Sequence, residues 1–176
     1  RKPAKLWMPQ LAFGARQEAR RIYEFLGPDD TCPILPFPAR DPRLADQIAL
    51  EYREELLTTW PVDVQNIVYA DDDDPLDVYR TILRIDDLRQ PVFAGCGGSA
   101  TILSPTSSKL TALGALMASI ERDLPVAYLE AEAYELASVK TDSSRPTFGA
   151  SEAVLVHLWL EGEAYPDERP ALRREI

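Results

Sequence analysis

The chemistry-bearing residues of this chain gather where an extended run hands over to a helical one. The stretch ILSPTSSKLTALGALMASIERD opens at Ile102 with a short β-branched run that stops at Ser104-Pro105. Ser104, Thr106, Ser107, Ser108 and Lys109 then bring hydroxyls and an ammonium to the start of an apolar helix-period stripe. The first N–H groups of a helix have no intrahelical partner, and the helix dipole favours an anion there. Such a set suits a phosphate. It suits equally a plain N-cap at Ser107 or Ser108 with Lys109 in water. The stretch lacks the glycine pattern of a P-loop, which argues against an NTPase.

A second group sits in PQLAFGAR, where Gln10, the backbone of Phe13 and Gly14 could face a ligand, or simply form a strand-to-helix turn. Gly14 permits close approach of the backbone. Arg40, after PFPA, could meet a phosphate or an acidic neighbour. Asp71 to Asp74 bring oxygen ligands suited to a hard cation, but adjacent carboxylates cannot all turn to one point and the spacing matches no EF-hand. They read as a solvated helix start, and no metal is expected. Cys32 and Cys96 are far apart and suggest neither a disulfide scaffold nor a metal site, and Cys96 has no evident base. The single histidine, His157, lies in an apolar alternating run and reads as a strand residue.

The elements that must position these groups alternate. Leu6–Met8 reads as a first strand ending at Pro9. ARQEARRIYEFL follows as an amphipathic helix stopped by Gly27-Pro28. Ile34–Leu35 gives a strand ending near Pro36, limited by its prolines. DPRLADQIALEYREELLTTW repeats Leu44, Ile48, Tyr52 and Leu56 every four residues, which predicts one long helix. Ile67–Tyr69 is a buried-strand signal, and Pro75 opens a helix capped by Asp74. QPVFAGCGGS reads as loop, Thr101–Leu103 as a strand, Ser107 to about Arg122 as a helix, and Ala127–Leu129 as a strand. A loop over 138–150, an extended segment AVLVHLWLEG and a polar tail complete the chain.

This order predicts an α/β, Rossmann-like fold, with a mainly parallel sheet of about five to six strands and helices on both faces. Residues 1–136 make the domain, and 137–176 add a loop, a strand and a tail or linker. The 176 residues suffice for a sizeable core. Hydrophobic residues at 45% and charged residues at 27% place the chain among ordinary globular proteins. No apolar run approaches the roughly 20 residues of a membrane span, so no membrane partner is expected and a cytoplasmic location is. The net charge of −10 repels phosphate backbones and argues against duplex nucleic acid, while leaving room for one small nucleotide in a local pocket. The chain starts at Arg1 and reads as a piece of a longer protein.

One family has this order of parts. ILSPTSSKLTALGALMAS followed by LPVAYLEAEAY, with ADDDDPLDVYRTI upstream, resembles the CARF (CRISPR-associated Rossmann fold) domains over roughly Leu6 to Tyr134. In that family a Gly-Gly-Thr-Lys-like loop follows a strand. Here Thr106-Ser107 replace the glycine pair, Ser108 stands where threonine is usual, and Lys109 is kept. The resemblance implies a sensor in antiviral defence or regulation. Two copies pair, and a cyclic oligonucleotide lies across their axis. By position it would meet Gln10, Leu11, Phe13 and Gly14 on one loop, and Ser107, Ser108 and Lys109 on the other. No cofactor is implied, and any catalysis would be slow, metal-independent cleavage of the ligand. The signal would pass to an effector domain outside this chain. Two other readings stand beside it: a Rossmann-type enzyme domain acting on a nucleotide or sugar phosphate, and a non-catalytic interaction scaffold.

The helix from Ser107 carries Ala112, Gly114, Ala115 and Ala118 on one side, and Leu110, Leu113, Met117 and Ile120 as an apolar stripe. Two buried faces are expected of it. The sheet supplies one. The other could come from the neighbouring helix of the same chain or from the same helix of a second copy, and the second copy is the expected source.

Overall fold

A computed structural model of the chain describes residues 2–60 and 62–130, within one compact unit, Arg1–Glu132. The expected loop over 138–150, the AVLVHLWLEG segment with His157, and the tail lie outside the described residues.

The elements are strand β1 (Ala4–Gln10), helix α1 (Arg16–Leu26), strands β2 (Asp30–Thr31) and β3 (Ile34–Pro36), helix α2 (Leu44–Glu51), strand β4 (Val68–Ala70), helix α3 (Pro75–Phe93), strand β5 (Ser99–Pro105) and helix α4 (Lys109–Arg122). All strand pairings are parallel. β1 is central. It pairs along its whole length with β5, and on its other side with β2 and then β3, while β4 lies outside β3. Val126 pairs with Leu103 on the outer side of β5. The mainly parallel Rossmann-like sheet of about five strands is therefore as expected.

Side-chain alternation along β1 divides the core into two layers. Leu6 and Met8 pack with Val78 and Ile82 of α3 and with Ala115 and Ala118 of α4. Trp7 packs on the opposite face with Ala19 and Ile22 of α1, Ala45 and Ile48 of α2, and Trp60. Helices thus cover both faces, and the near-continuous apolar run of β1 is what a strand buried on both sides requires.

β1 runs through Pro9, where the sequence predicts its end. The backbone groups of Lys5, Trp7 and Leu11 bond toward the β2–β3 side. Pro9 has the same parity, so its missing N–H faces the break between β2 and β3 at Cys32-Pro33, where it disrupts no regular ladder. Three further boundaries differ. The predicted long helix is α2 followed, after Tyr52, by a π-helical turn over Glu55–Thr59, closed by the Trp60 N–H donating to the Glu55 carbonyl at 2.8 Å. Apolar residues every four positions outrun a 3.6-residue turn by about 40° per repeat, and a wider turn returns Leu56 and Trp60 to the core side. α3 continues through Pro91 to Phe93, where the sequence predicts a loop. Pro91 stands in its last turn, so only the final bonds of the helix are lost. The expected strand Ala127–Leu129 is reduced to the pairing at Val126, with Tyr128 and Leu129 exposed.

The α4 expectation is met in one half and corrected in the other. The small-residue side is buried, but its neighbour is α3 of the same chain. A Cβ on Gly114 would lie 2.2 Å from the Pro75 carbonyl oxygen and 2.8 Å from Val78 Cβ. Small residues let the two backbones approach, and the second copy is not needed there. Ile120, from the expected apolar stripe, is exposed.

Candidate functional site

The strand order creates one distinctive edge. β1 and β5 are neighbours in register from Ala4–Ser99 to Gln10–Pro105, so their carboxyl ends finish side by side. The helices that follow them leave to opposite faces, α1 to the Trp7 layer and α4 to the Leu6 layer. Such a topological switch point is where ligands of open α/β sheets bind. The two loops singled out in the sequence, Gln10–Gly14 and Ser104–Lys109, are its walls.

Thr106 ties the walls together, its hydroxyl donating to the Gln10 carbonyl at 2.6 Å. The Gln10 side chain is buried and reaches the first turn of α4, where Nε2 donates to the Thr111 carbonyl at 2.9 Å. Its Oε1 has no hydrogen-bond partner among the described residues. Ser104 is buried and accepts from Trp7 Nε1 at 2.9 Å. Leu11 is fully buried, and its N–H donates to the Ile34 carbonyl. The side chains of Ser104 and Leu11 therefore build the floor of the edge and do not face a ligand.

Ser108 is the N-cap of α4, accepting from the Thr111 N–H at 3.3 Å. Ser107 has no hydrogen-bond partner among the described residues, and Lys109 is exposed as the first residue of the helix. The expected cradle of two hydroxyls and a lysine thus keeps Ser107, Lys109 and the open first-turn N–H groups of α4.

On the opposite wall Gly14 has φ +85°, a conformation that favours glycine. Its N–H is not open. The Glu51 carboxylate accepts it with both oxygens, at 2.9 and 3.2 Å. Tyr52 anchors the same loop through its hydroxyl, which donates to the Ala12 carbonyl at 3.2 Å, and burial holds that hydroxyl protonated. Phe13 is exposed. Nothing in the PQLAFGAR pattern shows the Glu51 contact, because the partner is 37 residues away.

Arg40 joins this edge but is paired with Asp73 at 3.3 Å. Arg16 is held at 2.6 Å by Glu54 and at 2.7 Å by the buried Glu55, and these carboxylates raise its already high pKa. Of these three cations, Lys109 alone has no carboxylate partner among the described residues. The aspartate run is occupied by its own turn: Asp71 Oδ1 accepts from the Asp73 N–H, Asp77 from the Asp71 N–H, and Asp74 caps α3 through the Leu76 N–H. Among the described residues no group of three or more metal-ligating side chains could hold an ion.

No family model and no curated protein matches this sequence. Among the described residues this edge offers the Lys109 ammonium and the Ser107 hydroxyl without partners, beside helix N–H groups, and these can bind and orient an anion. Cys32, the free thiol among the described residues, is buried, and burial beside Asp30 pushes its pKa up to about 12, which leaves it unreactive. No described helix is long and apolar enough to cross a membrane.

Proposed function

We propose that this chain is a CARF-like ligand-sensing domain. It binds a cyclic oligonucleotide or another small nucleotide phosphate at the carboxyl ends of β1 and β5, in a homodimer, and signals to an effector domain outside the chain. The observation that carries the reading is the switch point. Continuous parallel pairing of β1 with β5 brings Gln10–Gly14 against Ser104–Lys109, with α1 and α4 on opposite faces. Lys109 at the first position of α4 supplies the charge that a phosphate needs, beside the positive end of the helix.

The test is a titration of wild type and Lys109→Ala with short cyclic oligoadenylates and simple nucleotides. Losing one charge-assisted phosphate contact weakens binding by about tenfold to a hundredfold. Thermal stability stays unchanged, because the lysine is exposed and has no ion-pair partner among the described residues. Equal affinity of the two proteins removes Lys109 from the site. Absence of any nucleotide binding by the wild type overturns the reading itself.

A further inference from the structure

We propose that Glu51 sets the polarity of the ligand: one phosphate lies at the start of α4, and the Gln10–Gly14 wall takes an uncharged, donor-bearing part such as a sugar hydroxyl. This specificity role deepens the nucleotide-phosphate reading above and rests on it.

The two walls differ in charge. A loop that binds an anion offers it backbone N–H groups, but the Gly14 N–H is already occupied. Both carboxylate oxygens of Glu51 accept it, at 2.9 and 3.2 Å. The chain's own carboxylate therefore holds the place that a ligand phosphate would need in order to use that donor. The acids continue along the start of α1, where Glu18 lies in the first turn and Glu54 and Glu55 hold Arg16. They already answer the positive end of the α1 dipole. A second phosphate on this wall would meet like charge. At α4 the order is reversed. Its first turn contains no acidic residue, and it opens with Lys109, which has no carboxylate partner among the described residues. The aspartate run adjoins α4 through the Asp72 carbonyl, which accepts from the Ser108 hydroxyl at 3.5 Å. Within that run Asp71 and Asp74 accept backbone N–H groups, and Asp73 holds Arg40.

Glu51 also has something to offer a ligand. An ionised carboxylate only accepts hydrogen bonds, and its two oxygens carry about four lone-pair sites. The Gly14 N–H leaves part of that capacity open. Tyr52, the next residue, fixes the same loop through the Ala12 carbonyl at 3.2 Å, so the acceptor and the wall are held together by one turn of chain. A hydroxyl or amino group suits such an acceptor, whereas a phosphate brings charge and further acceptors. A nucleoside monophosphate carries both required parts, one phosphate and the hydroxyls of its sugar.

Titration of the whole chain with adenosine monophosphate and adenosine diphosphate, without divalent cations, tests the proposal. The wild type binds the monophosphate more tightly. Glu51→Gln keeps an oxygen for the Gly14 N–H and removes the charge, and the diphosphate gains about threefold or more in affinity relative to the monophosphate. Glu24→Gln removes the same charge from an exposed position toward the far end of α1 and leaves the ratio of the two affinities unchanged. A merely structural Glu51 would weaken both ligands alike and leave the ratio where it was. A wild type that binds the diphosphate as tightly as the monophosphate overturns the proposal, and that comparison still decides should Glu51→Gln not fold. So does a ratio that Glu51→Gln does not move, or that Glu24→Gln moves as far. In each of these cases monophosphate binding itself persists and the nucleotide reading stands. A wild type that binds neither ligand overturns the nucleotide reading and this proposal with it.

Discussion

At the scale of the residue, Ser108 shows how one side chain meets two demands. As the N-cap of α4 it accepts from the Thr111 N–H, and its hydroxyl also lies 3.2 Å from the Thr111 hydroxyl. Ser108→Ala removes the cap, at a cost of about 1 kcal/mol. For a chain of this size that lowers the thermal midpoint by about 2–4 °C, measurable by calorimetry or circular dichroism. An unchanged midpoint would mean that α4 is held by tertiary packing alone. Gln10 illustrates the opposite case. The sequence marks it as a loop residue open to ligand, but burial turns its amide inward to the Thr111 carbonyl. Only tertiary structure shows that turn, because Gln10 and Thr111 are 101 residues apart.

At the scale of the element, α4 depends on a missing side chain. The nearest atom to a Cβ at position 114 would be the backbone oxygen of Pro75, which cannot swing aside like a side-chain tip. Gly114→Ala gains about 1 kcal/mol of helix propensity. It loses more by forcing α4 away from α3, since overpacking costs about 1–3 kcal/mol and this overlap is severe. A net destabilisation of about 2 kcal/mol is expected by urea unfolding, with the association state unaltered. Increased stability would show that the two helices separate freely. The π-helical turn is the other element that tertiary forces shape. Its widened backbone lets Glu55 point inward to Arg16 while Leu56 and Trp60 remain in the core.

At the scale of the whole molecule, the chain carries a net charge of −10 that local ion pairs do not cancel. Arg16, Arg40, Arg89 and Arg122 are each committed to a carboxylate. The remaining acids repel one another across the surface. Raising ionic strength from about 0.01 M to about 0.1 M shortens the screening length from about 30 Å to about 10 Å. The thermal midpoint should therefore rise with added salt, as followed by differential scanning calorimetry in sodium chloride. A fall would mean that the local pairs outweigh the net repulsion.

What the amino-acid order determined by itself was local. The alternation of apolar runs and amphipathic stripes specified an α/β chain with a parallel sheet, since period and run length follow from backbone geometry alone. The Asp74-Pro75 start of α3 and the Gly27 end of α1 were legible for the same reason, each being a cap built from neighbouring residues. The strand order β4, β3 with β2, β1, β5 was decided only by tertiary structure, and with it the meeting of the β1 and β5 carboxyl ends. So were the Glu51 carboxylate on the Gly14 N–H, the Arg40–Asp73 pair and the choice of α3 as the partner of α4. These contacts join residues 33 or more positions apart, and no local periodicity encodes which distant group fills a given donor or hollow.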